Sequence, residues 1–429
     1  MYGIKIKDKQ ELYGRKHFRL RSDIIDPTYL RTKLVSDIRN RIGITSISAN
    51  YIQLYINDEF MGLYIITDSL SLPWIENVFD DKKSTTLYKC TFLLDFTPEF
   101  YDGCVNKNED VTDHTEWINF LKAIESAKSA SDLENIFEVD HFLYEMAIDY
   151  LLNAQDHTFH NYYFYKQTNG KWIYLSYDFD LDFGLCYNGN DYYMTYEEYF
   201  QYYNYKGRLY DLLISQDPSK FNEIIKDVVK KVINPNILYP HIDELKQYIK
   251  PYVILDKTLD SNGNYPGVLN YDPEHVYITY EQWDAYSEFT RNVKGYGLKY
   301  WILMKYRNIC HKLSMECDPT YMDENYEYTV NKDLEYNEDY YFIGDNTYTT
   351  TYFEHSTIIS SEIPTPSSIE VNSQQFITST STITLIESET EYNVDVDIPT
   401  PDVDDDENSF DEEDTTMSIE TTTSSTINV

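Results

Sequence analysis

The last quarter of the chain is built from different material than the rest. From Asp318 to Val429 there are 27 Asp and Glu residues against one lysine, a net −26 of the −38 carried by all 429 residues. Beyond about Tyr340 the sequence turns rich in Thr, Ser, Asp and Glu, repeats Ile-Pro-Thr-Pro at 363–366 and 398–401, and holds the run Asp402-Val-Asp-Asp-Asp-Glu407. Such a segment buries too little apolar surface to offset its chain entropy. A disordered, solvated acidic tail is expected over 318–429, serving as a spacer, a glycosylated stalk, an acidic lure or a carrier of hydroxyls beside acids. Whatever folds is confined to the first 317 residues, whose net charge is only −12.

That body is rich in Leu, Ile, Val and Phe, and the 44 tyrosines supply large surfaces that can be half wet. A globular core follows. Nucleic acid is excluded as a main partner, because its binding needs clustered Lys and Arg. No apolar run reaches the roughly 18 residues of a transmembrane helix, and the opening MYGIKIKDKQ lacks the apolar centre of a signal peptide. The strand pattern at Arg15–Arg21 has no lead-in, so an upstream signal and strand are expected to be missing from this chain. Cys90, Cys104, Cys186, Cys310 and Cys317 form no CxxC or CxxH signature. Pairing of 90 with 104 and of 310 with 317, or five reduced thiols, both fit the spacing.

Phe18 and Leu20 alternate with Arg19 and Arg21, a strand with both arginines on one face. Asp26-Pro27 reads as a helix start, and Leu30, Leu34, Val35 and Ile38 continue at helical spacing to Gly43. Tyr51–Ile66 reads as a hairpin turned at Asn57-Asp58, and Leu87–Lys89 as a further strand. Helical spacing fills Thr115–Leu152, and a second hairpin pairs Asn161–Tyr165 with Lys171–Tyr177 across Gln167–Gly170. Further helices are predicted at Leu209–Ser215, Phe221–Ile233, His241–Ile249 and Trp283–Leu313, with a loop near Asp260–Pro273. The fold class is α+β, with a small β-rich N-terminal part and a larger helical part.

The densest polar cluster is Asp156, His157, His160, Asn161, Asp178, Asp180 and Asp182, followed by Gly184. The hairpin between them returns Asp178 to the end of the sheet from which Asn161 leaves. Carboxylates gathered there suit Mg²⁺, and phosphoryl transfer needs a metal on the phosphates together with a second carboxylate orienting the attacking hydroxyl. The five-residue step from Asp156 to Asn161 equals that of the kinase catalytic loop. Capping side chains in a turn, or a Ca²⁺ site at alternate aspartates, account for the same residues.

Phe18-Arg19-Leu20-Arg21-Ser22, Asp26-Pro27-Thr28-Tyr29-Leu30-Arg31-Thr32-Lys33-Leu34, Gly43, Leu54-Tyr55-Ile56-Asn57 with Gly62-Leu63-Tyr64, and Leu87-Tyr88-Lys89 resemble the N-terminal half of the spore-coat-protein-H (CotH) family. Phe142 to Asp156, Asn161-Tyr162-Tyr163-Phe164-Tyr165, Trp172 and Tyr177-Asp178-Phe179-Asp180 resemble its catalytic half. The resemblance implies an atypical protein-kinase-like fold, with a β-rich N-lobe over 1–110 and a helical C-lobe over 111–317. It implies ATP and Mg²⁺ or Mn²⁺ as cofactors, a protein Ser/Thr substrate as in bacterial spore coats, and a secreted or cell-surface location as in eukaryotic relatives. By position, Asp156 resembles the catalytic carboxylate, Asn161 a metal-side ligand and Asp178 the main metal ligand, with Asp180 as an added carboxylate. Arg19 and Arg21 are candidate phosphate clamps. Asp68 stands where the family usually has Glu after the Gly-Leu-Tyr strand, a shortened nucleotide-side carboxylate, and there is no GxGxxG loop.

A non-catalytic surface adhesin or matrix-binding protein with an acidic stalk is the alternative. A carboxylate-pair glycoside hydrolase is a third reading, without an evident Glu acid near Asp156 or Asp178.

Overall fold

The computed structural model describes residues 2–6, 11–22, 25–56, 59–185, 192–202, 206–267, 278–292 and 295–336, and the backbone of four short tail strands. Alternation of side chains organises the first antiparallel sheet. Its strands β1 (Tyr2–Lys5), β2 (His17–Arg21), β3 (Ala49–Ile56) and β4 (Glu59–Asp68) run in the order β1-β2-β4-β3. Phe18, Leu20, Ile52, Leu54, Tyr64 and Ile66 share one face and bury against Ile4 and Ile6 in a small core of their own. Arg19 lies opposite Thr67 and Arg21 opposite Ile65. The arginines therefore share the face on which Ile65, Leu63 and Tyr51 join the main core.

The second sheet has the order β6-β5-β7-β8, formed by β5 (Leu87–Cys90), β6 (Cys104–Asn106), β7 (Tyr162–Lys166) and β8 (Trp172–Ser176). Leu87–Cys90 pairs with Tyr162–Tyr165 and so belongs to this sheet rather than to the first. The main core packs rings around it: Phe120 stacks on Trp172 at 4.9 Å and Tyr88 on Trp117 at 5.3 Å. Cys90 and Cys104 face each other across β5 and β6 and form a disulfide, and a second joins Cys310 to Cys317. Cys186 lies outside the described residues.

Helices α1 (Arg31–Ile42), α2 (Leu72–Phe79), α3 (Thr115–Ser126), α4 (Val139–Leu152), α5 (Tyr196–Tyr202), α6 (Gly207–Tyr210), α7 (Ser219–Lys231), α8 (Pro235–Asp256), α9 (Tyr280–Tyr286), α10 (Leu298–Lys312) and α11 (Pro319–Met322) form the rest of the body, which therefore runs past the expected limit at 317: Tyr321 and Met322 pack against the core. The α+β class expected from the sequence is observed.

Helix α8 extends beyond the predicted His241–Ile249 at both ends, and two other boundaries differ for local reasons. Asp26 does not start α1, because Tyr29 takes φ of 59° and breaks any helix there. Its carboxylate instead holds a turn, accepting from the Thr28 amide at 2.9 Å and hydroxyl at 2.7 Å, and caps the Arg31 amide at 2.9 Å. The stretch Trp283–Leu313 is two helices. Between them a Cβ at Gly297 would sit 2.6 Å from the Glu288 carbonyl oxygen, so the chain folds back on itself where no side chain fits.

Of the tail, Ser381–Leu385 pairs antiparallel with β3 over Ile52–Ile56 and with Glu391–Asn393, while Val396–Asp397 pairs with Thr416–Met417. Both Ile-Pro-Thr-Pro repeats, the run 402–407 and the turn Asn57-Asp58 lie outside the described residues. Among the described residues no helix is long and apolar enough to cross a membrane.

Candidate active site

Helix α4 ends at Asn153, whose left-handed φ of 58° turns the chain into a short 3-10 turn at Gln155–His157. Asp156 sits on that turn with its side chain a quarter exposed. Asn161, also left-handed at φ 63°, donates from Nδ2 to Asp156 Oδ2 at 2.5 Å. His160 Nε2 lies 3.8 Å from the other Asp156 oxygen. Positive φ is tolerated by Asn more readily than by most side chains, which suits Asn at positions 153 and 161.

The hairpin then does what its length dictates. Tyr162 and Ser176 are directly paired, and the Tyr177 amide donates to the Asn161 carbonyl at 3.0 Å. Asp178 follows one residue later at φ 72°. Buried His157 fixes this corner: Nδ1 lies 3.2 Å from Asp149 Oδ1, and Nε2 reaches the Tyr177 and Asp178 carbonyl oxygens at 2.9 and 3.2 Å. Burial opposes a charge on this imidazole, while Asp149 and, farther off, Asp182 favour it, and the net effect raises its proton affinity.

Asp178, Asp180 and Asp182 do not line one strand face, because they follow β8 in a turn. Arg21 reaches across from the first sheet and clamps two of them, with Nη1 on Asp178 Oδ1 and Nη2 on Asp180 Oδ2, the latter at 3.0 Å. Burial pushes the Asp180 carboxyl up, Arg21 opposes this, and Asp156 and Asp26 add to it. Asp182 turns away into the core, where burial pushes its carboxyl to about 8 despite nearby His157 and Arg39. Gly184 ends the turn at φ 66°, with the Trp301 ring lying where a Cβ would go.

Arg19, Arg21, Thr67, Asp68, Tyr177 and Asp178 line one small cleft that opens to solvent. The Arg19 guanidinium lies 5.0 Å from the Tyr177 ring centre, a cation–π contact. Asp68 pairs with Arg15 and accepts from the Ser48 amide at 2.9 Å, so both of its oxygens have protein partners. The structure thus brings Arg21, Asp178 and Asp180 into contact, places Arg19 and Asp68 along the same cleft, and pairs Asn161 with Asp156 beside them.

Sequence reasoning missed the charged network beneath. Fully buried Arg39 donates to Glu145 Oε2 at 3.2 and 3.1 Å, to Asp149 Oδ1 at 3.2 Å and to Ser176 Oγ at 3.1 Å, and stacks 4.3 Å from the Phe179 ring centre. Arg31 is buried as well, paired with Asp26 and bonded to the Asp182 carbonyl at 2.9 Å. The available signal was position: Arg39 follows Val35 by four on the apolar stripe of α1, and Glu145 and Asp149 are themselves spaced by four among Phe142, Met146 and Tyr150. A charge on a buried stripe needs a partner on another element.

Among the described residues no three His, Cys, Asp or Glu side chains form a ready metal cage. The donors present fit a narrower demand. Mg²⁺ takes oxygen ligands, keeps several waters, and is bound through one or two carboxylates plus substrate phosphates. Asp178 and Asp180 are two such carboxylates, already drawn to one positive charge, with Asn161 nearby as a neutral oxygen.

The sequence profile described as CotH kinase protein matches residues 2–300. Spore coat protein homolog 1 of Rhizopus delemar is 26% identical over 286 residues, covering 60% of this chain and 46% of its own length. Invasin CotH3 of the same fungus is 24% identical over 333 residues, covering 70% of this chain and 55% of its own. Inner spore coat protein H of Bacillus subtilis is 19% identical over 268 residues, 59% of this chain and 74% of its own. The chain spans about half the length of the fungal relatives it matches. The profile runs through the arginine strand, the Asp156–Asn161 turn and the Asp178–Asp180 corner, and on this evidence the chain belongs to the CotH family.

Proposed function

We propose that the chain is an ATP- and metal-dependent phosphotransferase of the protein Ser/Thr kinase-like CotH type, acting on a secreted or surface protein. The observation that carries this reading is the meeting of Arg21, from the first sheet, with Asp178 and Asp180, from the end of the second, beside the Asn161–Asp156 pair. In this reading the first sheet is the small lobe of a kinase-like fold, and the helices around the second sheet are the large one. Asp178 and Asp180, with Asn161, hold the divalent ion, which when bound neutralises charge on the phosphates. Arg19 and Arg21 hold the phosphates from the cleft wall.

Asp156 orients the attacking hydroxyl and accepts its proton as the new O–P bond forms and the bond to the ADP oxygen breaks. Asn161 keeps the Asp156 carboxylate in one orientation through its 2.5 Å hydrogen bond. The test is transfer of labelled phosphate from ATP with Mg²⁺ or Mn²⁺ to an acidic Ser/Thr peptide or to the chain itself. Asp178→Ala is expected to reduce it by at least two orders of magnitude. Equal transfer by the variant, or none by the wild type under any metal, removes the reading.

A second reading has its own support. Two relatives are named Invasin CotH7 and Invasin CotH3, and an acidic tail of 112 residues suits a stalk. A non-catalytic adhesin would hold a surface or matrix partner tightly and bind no nucleotide. A surface location agrees with the disulfides Cys90–Cys104 and Cys310–Cys317, which persist in oxidising surroundings.

A further inference from the structure

Asp178 and Asp180 are held by a cation that comes from another sheet and lines the cleft. Arg21 is about one fifth exposed, Asp178 somewhat less and Asp180 hardly at all. Among the described residues no other basic side chain pairs with either carboxylate. Two carboxylates so placed and so little hydrated need a positive charge between them. Arg19 does not supply it, because its guanidinium lies over the Tyr177 ring.

We infer that Arg21 is an exchangeable counter-ion: it neutralises the Asp178–Asp180 pair and passes its charge to nucleotide phosphates when these enter with a divalent ion. The inference rests on the phosphotransferase reading and deepens it. A divalent ion such as Mg²⁺ approaches carboxylate oxygens to about 2.0–2.1 Å, and the guanidinium nitrogens of Arg21 are the ion-pair partners of Asp178 Oδ1 and Asp180 Oδ2. The two occupants exclude each other at Asp178 Oδ1 and Asp180 Oδ2. Releasing Arg21 without a new partner costs its ion pairs. Releasing it beside phosphates costs far less, because it already lines the cleft that would receive them. Metal and nucleotide affinities are thereby coupled, each raising the other by the same factor.

The test is Mn²⁺ binding to the full chain, followed by electron paramagnetic resonance and calorimetry with and without a non-hydrolysable ATP analogue. Wild type, R21Q and R21K are compared, with D178N showing that the signal comes from this site. R21Q is expected to bind Mn²⁺ about five- to tenfold more tightly than wild type without nucleotide, and to gain less from the analogue. R21K keeps the charge on a compact ammonium and is expected to fall between them, which keeps the test open should R21Q fold poorly. Equal or weaker nucleotide-free binding by both variants, or an unchanged gain from the analogue, overturns the inference while leaving metal binding itself intact. Absence of Mn²⁺ binding in wild type under both conditions overturns the inference and the phosphotransferase reading together.

Discussion

Arg39→Met removes the guanidinium that two buried carboxylates share, while His157 stays beside Asp149 and the Ser176 hydroxyl on Glu145. The methionine keeps most of the aliphatic volume against Phe179 but removes the guanidinium that Glu145, Asp149 and Ser176 share, and Arg39, Glu145 and Asp149 are all 0% exposed. Breaking a buried ion pair by deleting one partner costs about 3–5 kcal/mol, since the remaining charge loses its partner without regaining water. Against the roughly 5–15 kcal/mol that holds a typical domain together, that is a large share. Urea unfolding of wild type and variant at pH 7, followed by near-ultraviolet circular dichroism, measures it directly. Loss of the guanidinium contact to Phe179 adds to the cost. A loss under 1 kcal/mol at pH 7 would refute the assignment of Arg39 as the counter-ion of this network.

Two further outcomes follow from the same geometry. His157→Ala removes the imidazole that ties Asp149 to the carbonyls of Tyr177 and Asp178, so it is expected to lower the phosphotransfer rate constant about tenfold to a hundredfold with little change in nucleotide affinity; a loss confined to affinity would contradict this role. His241 on α8 donates from Nε2 to the Asp37 carboxylate on α1 at 2.8 Å, and that hydrogen bond raises its proton affinity against the opposing effect of burial. Its folded-state value lies above its unfolded one, so its contribution is complete below pH 6.5 and disappears as pH rises through the folded value. The imidazole is about one third exposed, which limits the effect to a few tenths of a kcal/mol. The stability gap between wild type and His241→Gln is expected to be larger at pH 5.5 than at pH 9, and a gap growing with pH would reverse the argument.

The parts of the site legible in the sequence were those set by short-range spacing. Alternation put Arg19 and Arg21 on one face of β2, and the hairpin between Asn161 and Asp178 returned the chain to its starting edge. What long-range pairing decides was not legible. Leu87–Cys90 joined the second sheet because its partners lie some seventy residues later, at Tyr162–Tyr165. The start of α1 was misplaced because Pro27 after Asp26 is a good helix opening, and the left-handed turn at Tyr29 is dictated by packing, with Tyr51 donating to the Tyr29 carbonyl at 3.0 Å. Asp182 stood in the same polar cluster because alternate aspartates look equivalent in one dimension; in three, the corner after β8 sends it to the core side.

The rung that joins the Asn161 carbonyl to the Tyr177 amide also bears on how this protein can change over generations. The turn Gln167–Gly170 can lengthen or shorten at the cost of its side-chain bonds to Glu138, because its length does not set the register at the rung. A single residue gained within Tyr162–Lys166 or Trp172–Ser176 is another matter: every side chain beyond it would trade one surface of the sheet for the other. Asp178 would then leave the side on which Arg21 waits. Descendants of this gene should therefore vary in length at the hairpin's tip and hold the length of its two legs constant.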